Sequence, residues 1–168
     1  MGQLYQQEAG NLDTDGDGLT DAWERGYGRY QLISSNLTWI QSKADAEARG
    51  GYLATITSQA EQEFVVNFFG GGLAAGLTMN AIGAYQTSKA SEPSGNWAWV
   101  TGEPWVYTAW NGAPDNYQGN QDYGYLIGNI YGGYPFWDDV EGTLPIARYI
   151  LEFGYPTDPT KADTDGDG

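Results

Sequence analysis

The sequence contains neither cysteine nor histidine among its 168 residues. Without cysteine the chain has no disulfide and no thiolate metal site, a composition compatible with the cytosol and with an exported bacterial protein. Without histidine it lacks the commonest general base and the usual ligand of zinc and copper. Nucleophilic triads are therefore excluded, and we do not expect an enzyme.

Basic residues are scarce, with 7 lysines and arginines against 22 aspartates and glutamates and a net charge of −15. Because no basic patch is available to bind phosphates, the composition excludes nucleic acid and anionic membranes as partners and suits cation binding. No run of about 18 apolar residues is present, so membrane insertion is not expected. The first ten residues, MGQLYQQEAG, contain no basic and apolar regions of a signal peptide, and none is visible.

The acidic hexapeptide DTDGDG occurs at residues 13–18 and again at 163–168. The first copy opens the stretch DTDGDGLTDAWE, whose oxygen-bearing residues occupy positions 1, 3, 5, 7, 9 and 12, with Gly18 at the sharp turn of position 6. This is the ligand spacing of an EF-hand calcium loop. An apolar residue at position 7 rather than 8 resembles thrombospondin type 3 calcium repeats. The predicted Ca²⁺ ligands are Asp13, Asp15, Asp17, the Leu19 carbonyl, Asp21 and Glu24; the alternative is a solvated acidic linker.

The second copy keeps only the first half of this pattern. Asp163, Asp165 and Asp167 occupy positions 1, 3 and 5, and the sequence stops at Gly168 without the glutamate of position 12. We expect these three ligands to bind calcium poorly alone. The truncated repeat suggests a piece of a longer protein or one unit of an array, in which a neighbouring molecule completes the loop.

Two helices and several short strands are predicted between the hexapeptides. Thr38 and Gln41 form a capping-box pattern that opens one helix, and Ser58 and Glu61 form another. The segment GYLATIT between them reads as a short strand. Residues 80–145 are rich in glycine, tryptophan, tyrosine, asparagine and proline, with short apolar runs that predict strands separated by long loops.

Residues 26–154 resemble a C-type lectin-like domain. The resemblance runs in order through TWIQSKADAEARGGYLATITSQAEQEFV, NAIGAY, WAWVTGEPWVYTAWNGAPDN, NQDYGYL, FWDDV and YILEF. It implies an α+β fold with two helices, short antiparallel β-sheets and long loops. Where the family usually carries two disulfides, this chain has Ala46 with Leu151 and Tyr123 with Gly142. Residues 1–12 then form an N-terminal segment, 13–24 the calcium loop and 155–168 the truncated repeat.

The resemblance also implies a calcium and sugar site in the third loop. The family motifs correspond here to Ala113-Pro114-Asp115, to Gln121 and to Trp137-Asp138-Asp139. The implied calcium and sugar ligands are therefore Asp115, Gln121, Asp138 and Asp139, with a cis peptide before Pro114. Ala113 contributes no side-chain ligand, so the galactose-type aspartate at 115 does not identify the sugar. Asn116 and Asp122, with Glu92 more loosely, align with an auxiliary calcium site of some members.

Aromatic residues of the loops fall into two predicted groups. Trp97, Trp99, Trp105 and Trp110 are expected to pack in the core and under the loops. Tyr117, Tyr131 and Tyr134 lie among glycines and asparagines and are candidates for stacking on a sugar ring. The alternatives for Asp138 and Asp139 are turn capping and, as a carboxylate pair, glycoside hydrolysis.

The sequence thus predicts an extracellular or bacterial cell-surface carbohydrate-binding module that depends on Ca²⁺ and belongs to a larger surface protein or array. Its expected partners are glycans or glycoproteins, bound weakly at each site and used multivalently. The alternative is a structural, adhesion or filament-forming module whose calcium loops rigidify or link units. In that case the partners are other copies of the chain or adjacent repeats.

Overall fold

A computed structural model describes residues 16, 29–69, 79–128 and 134–154. The elements in chain order are β1 (Arg29–Leu37), α1 (Trp39–Ala48), β2 (Tyr52–Leu53), α2 (Gln59–Phe69), β3 (Met79–Gln86), β4 (Trp97–Trp99), β5 (Gln121–Ile127), β6 (Phe136–Glu141) and β7 (Ile146–Phe153). Neither described helix is long and apolar enough to cross a membrane. The predicted calcium ligands at 13–24 and 163–167 lie outside the described residues.

The strands join in one mixed sheet with the order β1-β7-β3-β5-β6, while β2 pairs with β7 and β4 with β3. The β3–β7 pair is parallel and the other pairs are antiparallel. The α+β class and the two helices are thereby confirmed. Arg29 at the start of β1 lies opposite Phe153 at the end of β7, so the two ends of the domain are neighbours.

The two predicted capping boxes differ in outcome. At α1 the box is complete: the Thr38 hydroxyl accepts the Gln41 N–H at 3.3 Å, and the Gln41 side chain accepts the Thr38 N–H at 3.0 Å. At α2 the Ser58 hydroxyl accepts the Glu61 N–H at 3.1 Å. The reciprocal bond predicted from the Ser58 N–H to Glu61 is wrong, because one oxygen of this carboxylate accepts the Tyr30 hydroxyl at 2.7 Å and the other accepts the N–H of Thr57, one residue earlier, at 2.7 Å.

Tryptophan rings form the centre of the domain, as the sequence predicts. Trp99 of β4 and Trp137 of β6 are fully buried and meet edge to face, with ring centroids 5.4 Å apart. Trp105 and Trp110 come from the long connection between β4 and β5 and pack against the same rings. Aromatic packing therefore holds a connection that contains little regular backbone hydrogen bonding.

The two positions that the family usually fills with disulfides are packed instead. Ala46 and Leu151 are both fully buried in one apolar cluster. At the other position a Cβ added to Gly142 would lie 2.7 Å from the Tyr123 ring. The tyrosine therefore occupies the space next to the glycine, and van der Waals contacts take the place of both covalent links.

Gly83 of β3 tests how closely β3 packs against its neighbours. An added Cβ would lie 2.6 Å from the Leu53 carbonyl oxygen and 2.8 Å from the Val100 side chain. Because a backbone oxygen of a paired strand cannot withdraw freely, we expect Gly83→Ala to lower the free energy of unfolding by about 1–3 kcal/mol. Urea denaturation followed by tryptophan fluorescence measures this. Exposed Ala90→Ser is the control, expected within about 0.5 kcal/mol of wild type; an unchanged Gly83→Ala midpoint would contradict the close approach.

Candidate functional site

Three carboxylates converge at one surface of the sheet. Asp115 comes from the loop after the cis Ala113-Pro114 peptide, and Asp138 and Asp139 come from β6. One oxygen from each of the three lies within 4.8 Å of the others. The structure therefore brings together the three aspartates that the sequence singled out, and the cis peptide implied at Pro114 is present. We call this group the aspartate cluster.

Asp139 joins the loop to the sheet. Its side chain is 1% exposed, and its two oxygens accept the backbone N–H groups of Asp115 at 3.0 Å and Asn116 at 2.7 Å. Asn116 has a left-handed backbone conformation with φ 48°, where the chain turns back toward β5. The carboxylate at 139 thus shapes the loop that carries Asp115, in addition to contributing to the cluster.

Asp138 is oriented by a residue that the sequence reasoning missed. Tyr125 of β5 lies opposite Asp138 in the strand register, and its hydroxyl donates to Asp138 Oδ2 at 3.0 Å. Burial, followed by the charge of Asp138, raises the pKa of Tyr125 above its ordinary value, so the phenol remains a donor. No sequence signal identified this pair, because it depends on the register of β5 against β6, which places Tyr125 opposite Asp138.

Gln121 and Asp115 both hold the backbone of Tyr117. The Tyr117 N–H donates to Gln121 Oε1 at 2.7 Å and to Asp115 Oδ1 at 3.0 Å. The Gln121 N–H in turn donates to the Asn116 side chain at 3.0 Å. The amide oxygen predicted as a neutral calcium ligand therefore already serves the loop backbone, while the Tyr117 ring is 65% exposed beside the cluster.

The charges of the cluster are not balanced by a basic side chain in the described ranges. The ion pairs there are Lys43–Glu47, Arg49–Asp45 and Lys89–Asp122. Burial raises the pKa of Asp139, the N–H groups of the loop lower it in part, and neighbouring Asp138 raises it again. Three close carboxylates without a cationic partner are a donor set that fits a hard ion such as calcium.

The auxiliary site aligned with Asp122 has a different character. The Lys89 ammonium group lies 3.2 Å from Asp122, so a lysine already neutralises that carboxylate. The Asn116 side chain accepts the Gln121 N–H. Both carboxylate oxygens of Glu92 are buried without a hydrogen-bond partner. The lysine therefore competes with a cation at Asp122, but the unpartnered oxygens of Glu92 and Asp122 Oδ1 leave buried acceptors for one there.

Tyr134 is exposed, as predicted, but it lies in other surroundings than Tyr117. Burial, followed by the charge of Glu63 on α2, raises the pKa of Tyr134. Burial, followed by the charge of Tyr134, raises the pKa of Tyr107. The Tyr107 ring packs edge to face on Trp137 at 5.7 Å. Tyr134 therefore belongs to a surface next to α2, and Tyr131 lies outside the described residues.

Comparison with known sequences finds relatives over about half to two thirds of the chain, although no family model matches. Halomucin of Haloquadratum walsbyi is 32% identical over 118 residues, which cover 67% of this chain and 1% of halomucin. Human C-type lectin domain family 10 member A is 27% identical over 66% of this chain and 32% of its own length. Echinoidin of Heliocidaris crassispina is 30% identical over 55% of this chain and 69% of its own length. The chain thus spans a third or less of the first two relatives.

Solved structures share the fold at lower identity. The C-type lectin CEL-I from Cucumaria echinata has a TM-score of 0.61 at 24% identity and covers 83% of this chain and 94% of its own. The C-type lectin domain of murine dendritic cell inhibitory receptor 2, in complex with N-glycan, has a TM-score of 0.61 at 19% identity, with 76% and 91% covered. A calcium-independent type II antifreeze protein has a TM-score of 0.58 at 22% identity, with 77% and 88% covered.

These likenesses establish the fold, and the sequence relationship to echinoidin extends over more than two thirds of that protein. The order of the elements, the cis peptide before Pro114 and the positions of Asp115, Asp138 and Asp139 agree with the resemblance noted in the sequence. The chain belongs to the family of C-type lectin-like domains.

Proposed function

We propose that this domain is a calcium-dependent carbohydrate-binding module of an extracellular or cell-surface protein. The observation that carries the proposal is the aspartate cluster, which lies beside an exposed tyrosine and has no basic partner in the described ranges. The murine receptor domain, which shares the fold, has been solved with an N-glycan, and this supports glycans or glycoproteins as the ligand class. The function is binding, without catalysis.

Asp115, Asp138 and Asp139 are the residues that would hold the ion. When bound, calcium supplies coordination positions at which sugar hydroxyl oxygens replace water. The protein residues prepare this arrangement: Asp139 fixes the loop through two backbone N–H groups, and Tyr125 orients Asp138. A cluster whose members are already held by hydrogen bonds loses little conformational entropy when an ion binds.

Tyr117 is the residue that we assign to the sugar itself. Its exposed ring offers an apolar face, and rings of this kind stack on the apolar face of a pyranose. Its backbone N–H is held by Asp115 and Gln121, so the ring is presented by the same loop that contributes to the cluster. Gln121 and Tyr134 remain predicted sugar contacts, although Tyr134 lies among Tyr107 and Glu63.

Retention of the full chain on immobilised galactose and mannose tests the proposal. We expect retention on at least one of them in calcium and release by EGTA. Tyr117→Ala is expected to weaken sugar binding by about 2- to 12-fold, the value of one aromatic contact, while calcium binding measured by calorimetry is unchanged. Ile40→Ala, which truncates an exposed apolar side chain of α1, is the control, with little effect expected. Retention that persists in EGTA would contradict calcium dependence.

The second candidate is a structural or adhesion module, and the pairing of β1 with β7 favours it. Arg29 and Phe153 are opposite each other, so both acidic flanks leave from one end of the domain. Calcium bound to those flanks would then rigidify or link neighbouring units. Sedimentation of the full chain with and without calcium tests this. Calcium-induced association that survives Asp138→Ala, with no sugar retention, would favour the second candidate over the first.

A further inference from the structure

The sequence contains a single match to the Asn-X-Ser/Thr pattern of N-linked glycosylation, NLT at residues 36–38. Such short patterns also occur by chance, so the fold has to present the asparagine to solvent. Asn36 is exposed, and among the described residues its side chain has no hydrogen-bond partner. By contrast, the side chains of Asn116 and Asn120 bind other groups of the domain. Asn36 is therefore free to accept a modification.

A β-bulge sets Asn36 apart from the ladder between β1 and β7. Ser34 pairs with Arg148 and Leu37 pairs with Ile146, so two residues of β1 lie opposite one residue of β7. Asn36 has φ 53°, a left-handed conformation that asparagine adopts more readily than most residues with a Cβ. The pattern thus lies in an irregular, exposed segment, which is where glycosylation acceptors occur.

Thr38 is the hydroxyl residue of the pattern and also the N-cap of α1. Its oxygen accepts the Gln41 N–H at 3.3 Å, which leaves the hydroxyl proton free to be donated. The next residue, Trp39, is 3% exposed, and its indole N–H donates to the Ile82 carbonyl at 2.7 Å. The chain is therefore anchored directly after the pattern, and Asn36 keeps a fixed place at the edge of the sheet.

The edge that carries Asn36 has little other protection. β1 is the outer strand of the sheet, and β7 is its partner among the described strands. The sequence from Tyr30 to Ser42 contains no charged residue, although the chain has a net charge of −15. Unpaired N–H and C=O groups of an edge strand invite pairing with another chain, and proteins commonly prevent this with charges or bulges. Here the bulge disturbs the edge only near Asn36.

We propose that Asn36 carries an N-linked glycan and that this glycan covers the open edge of β1. Asn36 Nδ2 attacks the anomeric carbon of a lipid-linked oligosaccharide, and the new N–C bond replaces the C–O bond to the lipid diphosphate. The diphosphate leaves with the bonding electron pair, and the amide proton passes to a base of the host transferase. The modification rests on the extracellular location of the proposed function, and it requires neither calcium nor sugar binding by the domain.

The glycan lies away from the aspartate cluster. Asn36 is on β1, while Asp138 and Asp139 are on β6, and these strands form opposite edges in the order β1-β7-β3-β5-β6. Four spacings between neighbouring strands, each about 4.8 Å, separate the two edges by roughly 19 Å. Asn36 is also near the other end of β1 from Arg29, where the chain enters the domain. The glycan therefore leaves both the cluster and the flanks accessible.

Mass spectrometry of the tryptic peptide 30–43, from the full chain exported by its native host, tests the modification. This peptide follows Arg29, ends at Lys43 and contains the whole pattern. We expect a sugar mass on Asn36 in wild type and in Thr38→Ser, and its loss in Thr38→Asp. Serine and aspartate both cap helices at least as well as threonine, so both variants keep the N-cap of α1. An unmodified wild-type peptide, or a sugar mass that persists in Thr38→Asp, would overturn the proposal.

Sedimentation of the wild-type chain made with and without N-glycosylation tests the covering role. Both samples are kept in EGTA, so that calcium does not link the acidic flanks. We expect the glycosylated chain to remain monomeric at concentrations at which the unglycosylated chain associates. Equal association of the two forms would overturn the covering role. Retention of the unglycosylated chain on immobilised sugar in calcium tests the proposed function separately, because it does not depend on Asn36.

Discussion

Replacing Asp139 with alanine is expected to abolish calcium binding at the aspartate cluster and to release the loop that carries Asp115. The carboxylate contributes an oxygen to the cluster and accepts the N–H groups of Asp115 and Asn116. Removing a residue that only hydrogen-bonds to a metal ligand typically lowers metal affinity 10- to 100-fold. Removing Asp139, which is a ligand and also shapes the loop, should therefore lower calcium affinity by about 100-fold or more. Calorimetric titration of the full chain with calcium, compared with wild type, measures the loss.

Two further variants separate the two roles of this residue. Asp139→Asn keeps the shape and one acceptor oxygen but removes the charge, so calcium affinity should fall while the loop remains largely in place. Glu141→Ala removes a carboxylate from the same strand outside the cluster, where it accepts the Asn120 side chain at 2.8 Å, and should leave calcium binding unchanged. Wild-type affinity in Asp139→Asn would contradict the assignment of Asp139 as a ligand.

The same site should respond to acid earlier than an ordinary aspartate. Burial raises the pKa of Asp139, and the adjacent Asp138 raises it further. A protonated carboxyl does not bind calcium well, so affinity should begin to fall at a pH above the usual range of aspartate. Calcium titrations from pH 7 downward follow this loss.

Trp137→Ala should have the largest effect on stability. The ring is fully buried and contacts four aromatic neighbours, with centroids 5.4 to 6.0 Å away. Its indole N–H donates to the buried Gln62 side chain at 2.9 Å, and its backbone N–H donates to the Ala109 carbonyl at 2.8 Å. Truncation of a buried tryptophan typically costs about 3–5 kcal/mol. Here it also leaves the buried side-chain oxygen of Gln62 without its donor, while the Gln62 amide group still donates to the Pro135 carbonyl at 3.2 Å.

Urea denaturation at neutral pH measures this loss. Val106→Ala is the control, because Val106 is 76% exposed and its truncation should change the free energy of unfolding by less than about 0.5 kcal/mol. Trp137→Phe should fall between the two, since it keeps an aromatic ring but loses the indole donor. A Trp137→Ala midpoint close to that of Val106→Ala would show that the aromatic cluster does not hold the long connection.

Short-range patterns in the sequence predicted the local features well. The capping box of Thr38 depends on residues three apart, and the loop of Pro114 and Asp115 is read from consecutive residues. Where the outcome depended on a distant partner, the sequence was a poorer guide. The Ser58–Glu61 pattern suggested a second complete box, but Tyr30, 31 residues away, offered the Glu61 carboxylate a buried donor.

The candidate site was likewise predicted only in its local features. The sequence identified the three aspartates, but it grouped Tyr117 with Tyr134, because both lie among glycines and asparagines in loops. The fold separates them, placing one beside Asp115 and the other near Glu63 of α2. Tyr125 was missed because its role depends on the register between β5 and β6, which the sequence does not state.

The pairing of Arg29 with Phe153 also determines how the domain would bear mechanical load. A pull applied through the segments before and after the domain acts on the open end of the β1–β7 ladder. The backbone hydrogen bonds of an antiparallel pair then separate one after another instead of resisting together. The aspartate cluster then lies outside the path of the force. A modest tension would separate β1 from β7 before the cluster is strained.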